Sequence, residues 1–212
     1  MILSSMGKNG AILALFALLT TGAVATIFSL TKDIIAEQER KQLSSQLQEV
    51  LDAHLYDNAL YEDCALIEND LLSARDSQTV YRARKNGQNI ALVMRHVTPK
   101  GYSGNIDLLT AVFANGEIAG VRVTKHEETP GLGDKIELRK SPWITVFKDQ
   151  TVLSTDDNRW AVKKDGGNFD QFTGATITPR AVVGSVKDAV LFAQQHFDDV
   201  FAAENACLAG QL

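Results

Sequence analysis

Residues 10–30, GAILALFALLTTGAVATIFSL, form an uncharged run between Lys8 and Lys32. Its 21 residues match the roughly 20 that an α-helix needs to cross the hydrocarbon core of a bilayer. Ala23-Val24-Ala25 resembles the small-residue end of a cleaved signal peptide. The apolar run continues past it through Ile27, Phe28 and Leu30, which favours a retained anchor. Beyond the span, Leu43, Leu47, Val50, Leu51 and Leu55 recur at helical spacing among Gln, Glu and Ser, the pattern of an amphipathic helix leading away from the membrane.

The spacing then changes from helical to alternating. TVYRARK and NIALVMRHV flank Asn86-Gly87, and DLLTAVFA and EIAGVRVTKH flank Asn115-Gly116. Asn-Gly supplies the positive φ values of a type I′ turn, so two β-hairpins and an antiparallel sheet are predicted. Turn-rich GYSG (101–104) and ETPGLG (128–133) follow the two hairpin arms, and a helix is predicted from Ile136 to Phe147. The last helix is predicted to start at Thr178-Pro179, with Thr as cap and Pro at the first helical position, and to run through AVVGSVKDAVLFAQQHF. Strands followed by helices without regular βαβ alternation give an α+β class. The organisation read from this is a short N-terminus (1–9), a transmembrane helix (10–30), a helical linker and domain entry (31–75) and one globular domain (76–212).

Composition narrows the function. A net charge of -5 and the lack of a Lys/Arg cluster exclude nucleic acid as a partner. With two cysteines far apart, Cys64 and Cys207, there is no C-x-x-C pair, c-type haem site or four-cysteine cluster. In an oxidising compartment these two are candidates for a structural disulfide. Only Lys8 precedes the span, whereas Lys32, Arg40 and Lys41 follow it. That count mildly opposes a cytoplasmic N-terminus, but large domains translocate largely regardless of charge, so the domain is placed outside.

No G-x-S-x-G, Walker loop, Rossmann fingerprint or H-E-x-x-H is present. The four histidines are scattered, and His126-Glu127-Glu128 reads as a solvated strand end rather than a metal site, because neighbours on a strand point to opposite faces. The informative segment is DQFTGATITPR, 170–180, which gathers three hydroxyls, a glycine and a helix start. Free N–H groups and the positive dipole end of a helix attract anions, and Arg180 adds a cation. From the residues alone this is either a capping loop or a phosphate site, and the spacing does not choose between Thr173, Thr176 and Thr178.

D-x-x-T-G-A-T followed by T-P-R-A-V resembles the flavinylation motif of the FMN-binding domain family, in which the final threonine, Thr176 here, esterifies the FMN phosphate. GYSG at 101–104, HEETPGLGDKIE at 126–137, WAVKKDGG at 160–167 and the N-terminal KNGAILALFALLTTG are similar to the G-subunit family of bacterial Rnf (Rsx) electron-transport complexes. The resemblance covers nearly the whole chain. It implies one covalent FMN attached by a separate flavin transferase that uses FAD and magnesium. No residue of this chain is then a catalytic acid or base, and no metal is held by it.

By the same resemblance Thr173, Gly174 and Ala175 surround the phosphate, while Tyr102, Glu128, Thr129, Leu132 and Gly133 line the isoalloxazine. Asp170 serves recognition by the transferase. Trp143 and Trp160 are candidates to stack on the ring, although core packing is the commoner role of such aromatics. The implied role is electron relay at the bacterial inner membrane, with the domain in the periplasm. The partners are membrane and cytoplasmic subunits of a complex that couples ferredoxin/NAD chemistry to ion translocation or reduces a redox-sensing regulator. Two other readings are the related C subunit of the sodium-pumping NADH:quinone reductase and an anchored assembly module that never receives flavin.

Overall fold

The computed structural model describes residues 2–207 and divides into two compact units, one up to Leu43 and one from Ser44 onward. The first unit is carried by helix α1 (Ile2–Val50), which is unbroken through the predicted span. Within residues 10–30 its large apolar side chains, among them Leu13, Phe16, Leu18, Leu19, Ile27, Phe28 and Leu30, are exposed. A helix apolar on every side with no protein packed on it suits lipid as its solvent. Two polar side chains inside the span, Thr20 and Thr26, are satisfied locally, donating to the carbonyls of Phe16 and Gly22 at 2.9 and 2.8 Å.

The second unit begins within the last turns of α1, where Leu47 and Val50 are buried. The amphipathic helix predicted through Leu55 ends earlier, at Val50. Asp52 caps a separate 3₁₀ turn, Ala53–Leu55, by accepting from the His54 N–H at 3.0 Å, and Leu55 is exposed.

Five antiparallel strands follow in sequential order: β1 (Cys64–Ile67), β2 (Gln78–Lys85), β3 (Gln88–Thr98), β4 (Ile106–Phe113) and β5 (Ile118–Lys125). Strand β1 lies inside the stretch read as linker, so the sheet begins before residue 76. The β2–β3 turn has positive φ at both Asn86 and Gly87, as a type I′ turn requires. The β4–β5 turn differs. Only Gly116 has positive φ, its N–H donates to Phe113 O, and Phe113 N donates to Glu117 O. This is a type I turn closed by a glycine bulge, the other common hairpin solution.

The helix predicted over 136–147 is replaced by two 3₁₀ segments, Gly133–Ile136 and Pro142–Phe147. Pro142 forces Ser141 into an extended conformation (φ -158, ψ 145), which interrupts a continuous helix. Helix α2 (Ile177–Ala202) packs its buried face, including Val182, Val186, Val190 and Phe192, against the sheet. Trp160, Phe147 and Phe169 stack within the same core, with Phe147 and Phe169 ring centroids 4.9 Å apart. Trp160 is therefore structural. Trp143 packs edge-on against Phe147 and Phe172, at 5.5 and 5.1 Å.

The far end of α2 is fixed by Arg82 on β2. Its guanidinium, buried and paired with Asp63, donates to the carbonyls of Val200 and Ala203 at 3.1 and 2.6 Å. A cation on the last carbonyls suits the negative end of the helix dipole. Cys64 and Cys207 form a disulfide with Cα atoms 5.4 Å apart. Asn205 and Ala206 hydrogen-bond along the β1 edge at Cys64 N and O.

Candidate functional site

The start of α2 organises the site. Thr176 is the N-cap residue, two positions before the predicted start, and its side chain makes no capping bond. Pro179 is thus the third helical residue, where its missing N–H still falls among the donors that have no intrahelical partner. Thr178 lies inside the first turn, fully buried, and its hydroxyl donates to the Glu128 carboxylate. It does not cap. The N–H groups of Ile177 and Thr178 have no carbonyl available within the helix and point toward its positive end.

The loop leading in is a turn. Ala175 N donates to Phe172 O at 3.1 Å, and Gly174 takes φ +81 at the position where a type II turn favours glycine. Phe172 is sunk in the core, which pins the turn, while Thr173 and Gly174 are exposed.

A cavity of about 240 Å³ opens at this point. Its wall joins three segments distant in sequence: Tyr102 from the 101–104 loop; Glu128, Thr129, Leu132 and Gly133 from the loop after β5; and Gly174 to Thr178 from the start of α2. Eight of the residues named from the sequence are thus brought together: Tyr102, Glu128, Thr129, Leu132, Gly133, Gly174, Ala175 and Thr176. Thr173 is not in the wall. Ile177 and Thr178, which the sequence did not single out as lining the flavin, are. Asp170 lies outside the cavity, exposed, paired with Lys163 Nζ at 2.6 Å, and its carbonyl accepts from Trp143 Nε1 at 2.8 Å. That bond turns the polar edge of Trp143 toward the motif rather than into the cavity.

The loop after β5 is ordered by its own hydrogen bonds, with Glu128 buried, His126 half-buried and Glu127 exposed. His126 Nδ1 accepts from Glu128 N, and Nε2 lies 3.0 Å from Glu137 Oε1. Burial pushes the Glu137 carboxyl up, but hydrogen bonds from Arg139 and His126 outweigh it and hold the group below its ordinary value. The carbonyl of Thr129 accepts from the N–H groups of Leu132 and Gly133 at 3.2 and 3.0 Å, which curls the segment against the helix start. Arg180 does not face the cavity, because it is paired with Asp165.

Comparison with known proteins decides the family. The RnfG N-terminal region model matches residues 1–50, and the FMN-binding domain model matches residues 101–191. A protein of Photorhabdus laumondii, named as the G subunit of an ion-translocating oxidoreductase complex, is 52% identical over 193 residues, covering 91% of this chain and 92% of its own. Proteins of the same name from Shewanella oneidensis and Vibrio cholerae are 47% and 45% identical, covering 96% and 97% of this chain and 97% and 99% of their own. The chain belongs to the G-subunit family of ion-translocating oxidoreductase complexes.

The cavity fits the FMN of that domain family in two respects. Thr176 offers an unengaged hydroxyl beside the donor-rich helix start, where a phosphate is favoured. Leu132, Ile177 and Tyr102 present apolar surface at the rim, all partly exposed. At about 240 Å³ the cavity is smaller than the roughly 300–1,000 Å³ that encloses a drug-sized ligand, so part of an FMN bound here lies at the surface.

Proposed function

We propose that this chain is the membrane-anchored, electron-transferring G subunit of an ion-translocating oxidoreductase complex and carries one FMN as a phosphoester on Thr176. The observation that carries the attachment point is the state of the three hydroxyls. Thr178 Oγ1 is buried and committed to Glu128, Thr173 lies outside the cavity, and Thr176 alone stands in its wall with no capping bond.

Attachment proceeds by phosphoryl transfer from FAD. Thr176 Oγ forms a P–O bond to the FMN phosphorus, the pyrophosphate P–O bond breaks, AMP leaves, and the hydroxyl proton passes to a base. Among the described residues no histidine, carboxylate or lysine is hydrogen-bonded to Thr176, so the base and the metal belong to a separate flavin transferase. Exposed Asp170 and Thr173 are the surface that this enzyme reads. Once bound, the flavin supplies the redox chemistry. The chain's own residues orient it: the helix start holds the phosphate, and Tyr102, Leu132 and Ile177 flank the ring while leaving one side open to the next carrier.

The remaining carriers belong to other membrane and cytoplasmic subunits, with which this chain acts as part of a translocase. The domain stands on the periplasmic side of the inner membrane, with the N-terminus in the cytoplasm. The Cys64–Cys207 disulfide supports that side, since such bonds persist in oxidising compartments.

Intact-mass analysis of the full chain, expressed with and without the transferase, tests the proposal. The expected result is one added FMN phosphoryl mass that maps to the peptide holding Thr176 and disappears in Thr176→Ala. No added mass in the presence of active transferase would leave the anchored assembly module as the working description.

A further inference from the structure

Glu128 is only 4% exposed, yet it sits in the wall of the cavity. Its two carboxylate oxygens are used separately. Oε1 accepts from the backbone N–H of Ser103 at 3.0 Å, and Oε2 accepts from the hydroxyl of Thr178. One side chain therefore ties the 101–104 loop to the first turn of α2, from its own place in the third segment of the cavity wall.

Two glycines make room for it. A Cβ on Gly101 would lie 2.7 Å from Glu128 Oε1, and one on Gly133 would lie 3.0 Å from Oε2 and 2.9 Å from Thr178 Oγ1. The separations of 2.7 and 2.9 Å are shorter than real Cβ contacts, and that of 3.0 Å is tighter than nearly all of them. The backbone is glycine on both flanks where the carboxylate crosses.

We infer that Glu128 is a positioning and specificity-determining residue for flavin attachment: it withdraws the Thr178 hydroxyl from reaction and holds the helix start so that Thr176 is the hydroxyl presented. This rests on Thr176 as the attachment point. Thr176 and Thr178 are two residues apart on one helix turn, and both contribute to the same cavity wall. A hydroxyl that donates to a buried carboxylate is held inward and is sterically unavailable, whereas its uncommitted neighbour is free to attack. Removing the carboxylate frees Thr178 and loosens both the 101–104 loop and the register of the first turn. Displacement of a reacting group by about 1 Å costs on the order of a hundredfold in rate.

The test compares Glu128→Ala, Glu128→Gln and Thr178→Val in the full chain, each incubated with FAD, magnesium and the transferase. Wild type and Thr176→Ala run beside them. Flavinylation rate, the mapped attachment residue and, in the unflavinylated chains, amide exchange at Ser103 are measured. For Glu128→Ala the expected result is a rate lowered roughly ten- to hundredfold, FMN mass shared between Thr176 and Thr178, and fast exchange at Ser103. Glu128→Gln restores most of the rate, because a side-chain amide accepts from Ser103 N–H with its oxygen and donates to Thr178 Oγ1 with its nitrogen. Thr178→Val slows attachment by loosening the helix start but leaves the FMN on Thr176 alone.

A folded Glu128→Ala chain that is modified at wild-type rate and only on Thr176 overturns the inference. If that variant does not fold, Thr178→Val decides: a wild-type rate overturns the inference, and a slowed rate with Ser103 still protected supports it. Failure of the wild-type chain to gain any FMN is a different result, and it removes the attachment proposal itself.

Discussion

Arg180 stands four residues beyond Thr176, one helical turn along, and its guanidinium closes on both carboxylate oxygens of Asp165 at 2.6 and 2.9 Å. A hydrogen bond from Arg180, outweighing a smaller effect of burial, holds the Asp165 carboxyl below its ordinary value. The cation nearest the motif in sequence is therefore spent on the 163–165 turn, not on the cavity. The phosphate site depends on backbone N–H groups and the helix dipole instead. Arg180→Ala is expected to leave the rate and position of FMN attachment within about twofold of wild type, since an exposed pair contributes little. A tenfold fall, with the fold intact by circular dichroism, would show that Arg180 reaches the phosphate after all.

The contrast between Arg180 and Glu128 explains how much of the site was legible in the sequence. The motif, the two glycine-bearing loops and the helix start are local patterns that carry the resemblance to the FMN-binding domain family, and that resemblance named eight of the ten residues in the cavity wall. What local pattern does not carry is the partner of each polar side chain. Glu128 reads as a charged strand end until Ser103 and Thr178, 25 and 50 residues away, are seen to close on it. Thr178 reads as a helix cap for the same reason.

The fold divides in the same way. The membrane helix, both hairpins and α2 follow from strong periodicity and turn chemistry. Strand β1 is four residues long and lies at the sheet edge, where the segment around Asn205 and the disulfide to Cys207 hold it. Apolar spacing over so short a stretch carries no signal. The predicted helix over 136–147 failed at Ser141-Pro142, a break that was present in the sequence but outweighed by the apolar residues around it.

The disulfide joins residues separated by 143 positions, and it holds the end of the chain beyond α2 to the edge strand. Closing a long loop restricts the unfolded chain, and such a bond is worth about 2–4 kcal/mol. The double variant Cys64→Ser/Cys207→Ser is expected to lose that much stability in denaturant titration, with the midpoint lowered. Flavin attachment at Thr176 should persist, because neither cysteine contributes to the cavity wall and Arg82 still fixes the end of α2. Equal stability with and without a reductant would mean that Asn205 and Arg82 suffice to hold this end.

His96 supplies the pH dependence. It lies fully buried between β3, β4 and α2, with Nε2 2.8 Å from Thr110 Oγ1 and Nδ1 2.8 Å from Ser185 Oγ. Two hydroxyls can serve a neutral imidazole, but no carboxylate compensates a charged one, and burial lowers its pKa from 6.5 to about 3. The folded state therefore binds fewer protons than the unfolded state between those values. Stability is fully present above about pH 6.5 and falls as the pH drops toward 3. The low-lying carboxylates Asp134, Asp157, Asp165 and Glu137 also lose stability on acidification, but only once the pH approaches their ordinary values of 3.8 for Asp and 4.5 for Glu and below. Between about pH 6 and 4.5 the slope attributable to His96 is roughly 1.4 kcal/mol per pH unit. Denaturant titrations across that interval should show this slope in the wild-type chain and a flatter one in His96→Gln, which has no titrating ring. An identical slope in both would place the acid sensitivity elsewhere and show that His96 is protonated without cost to the fold.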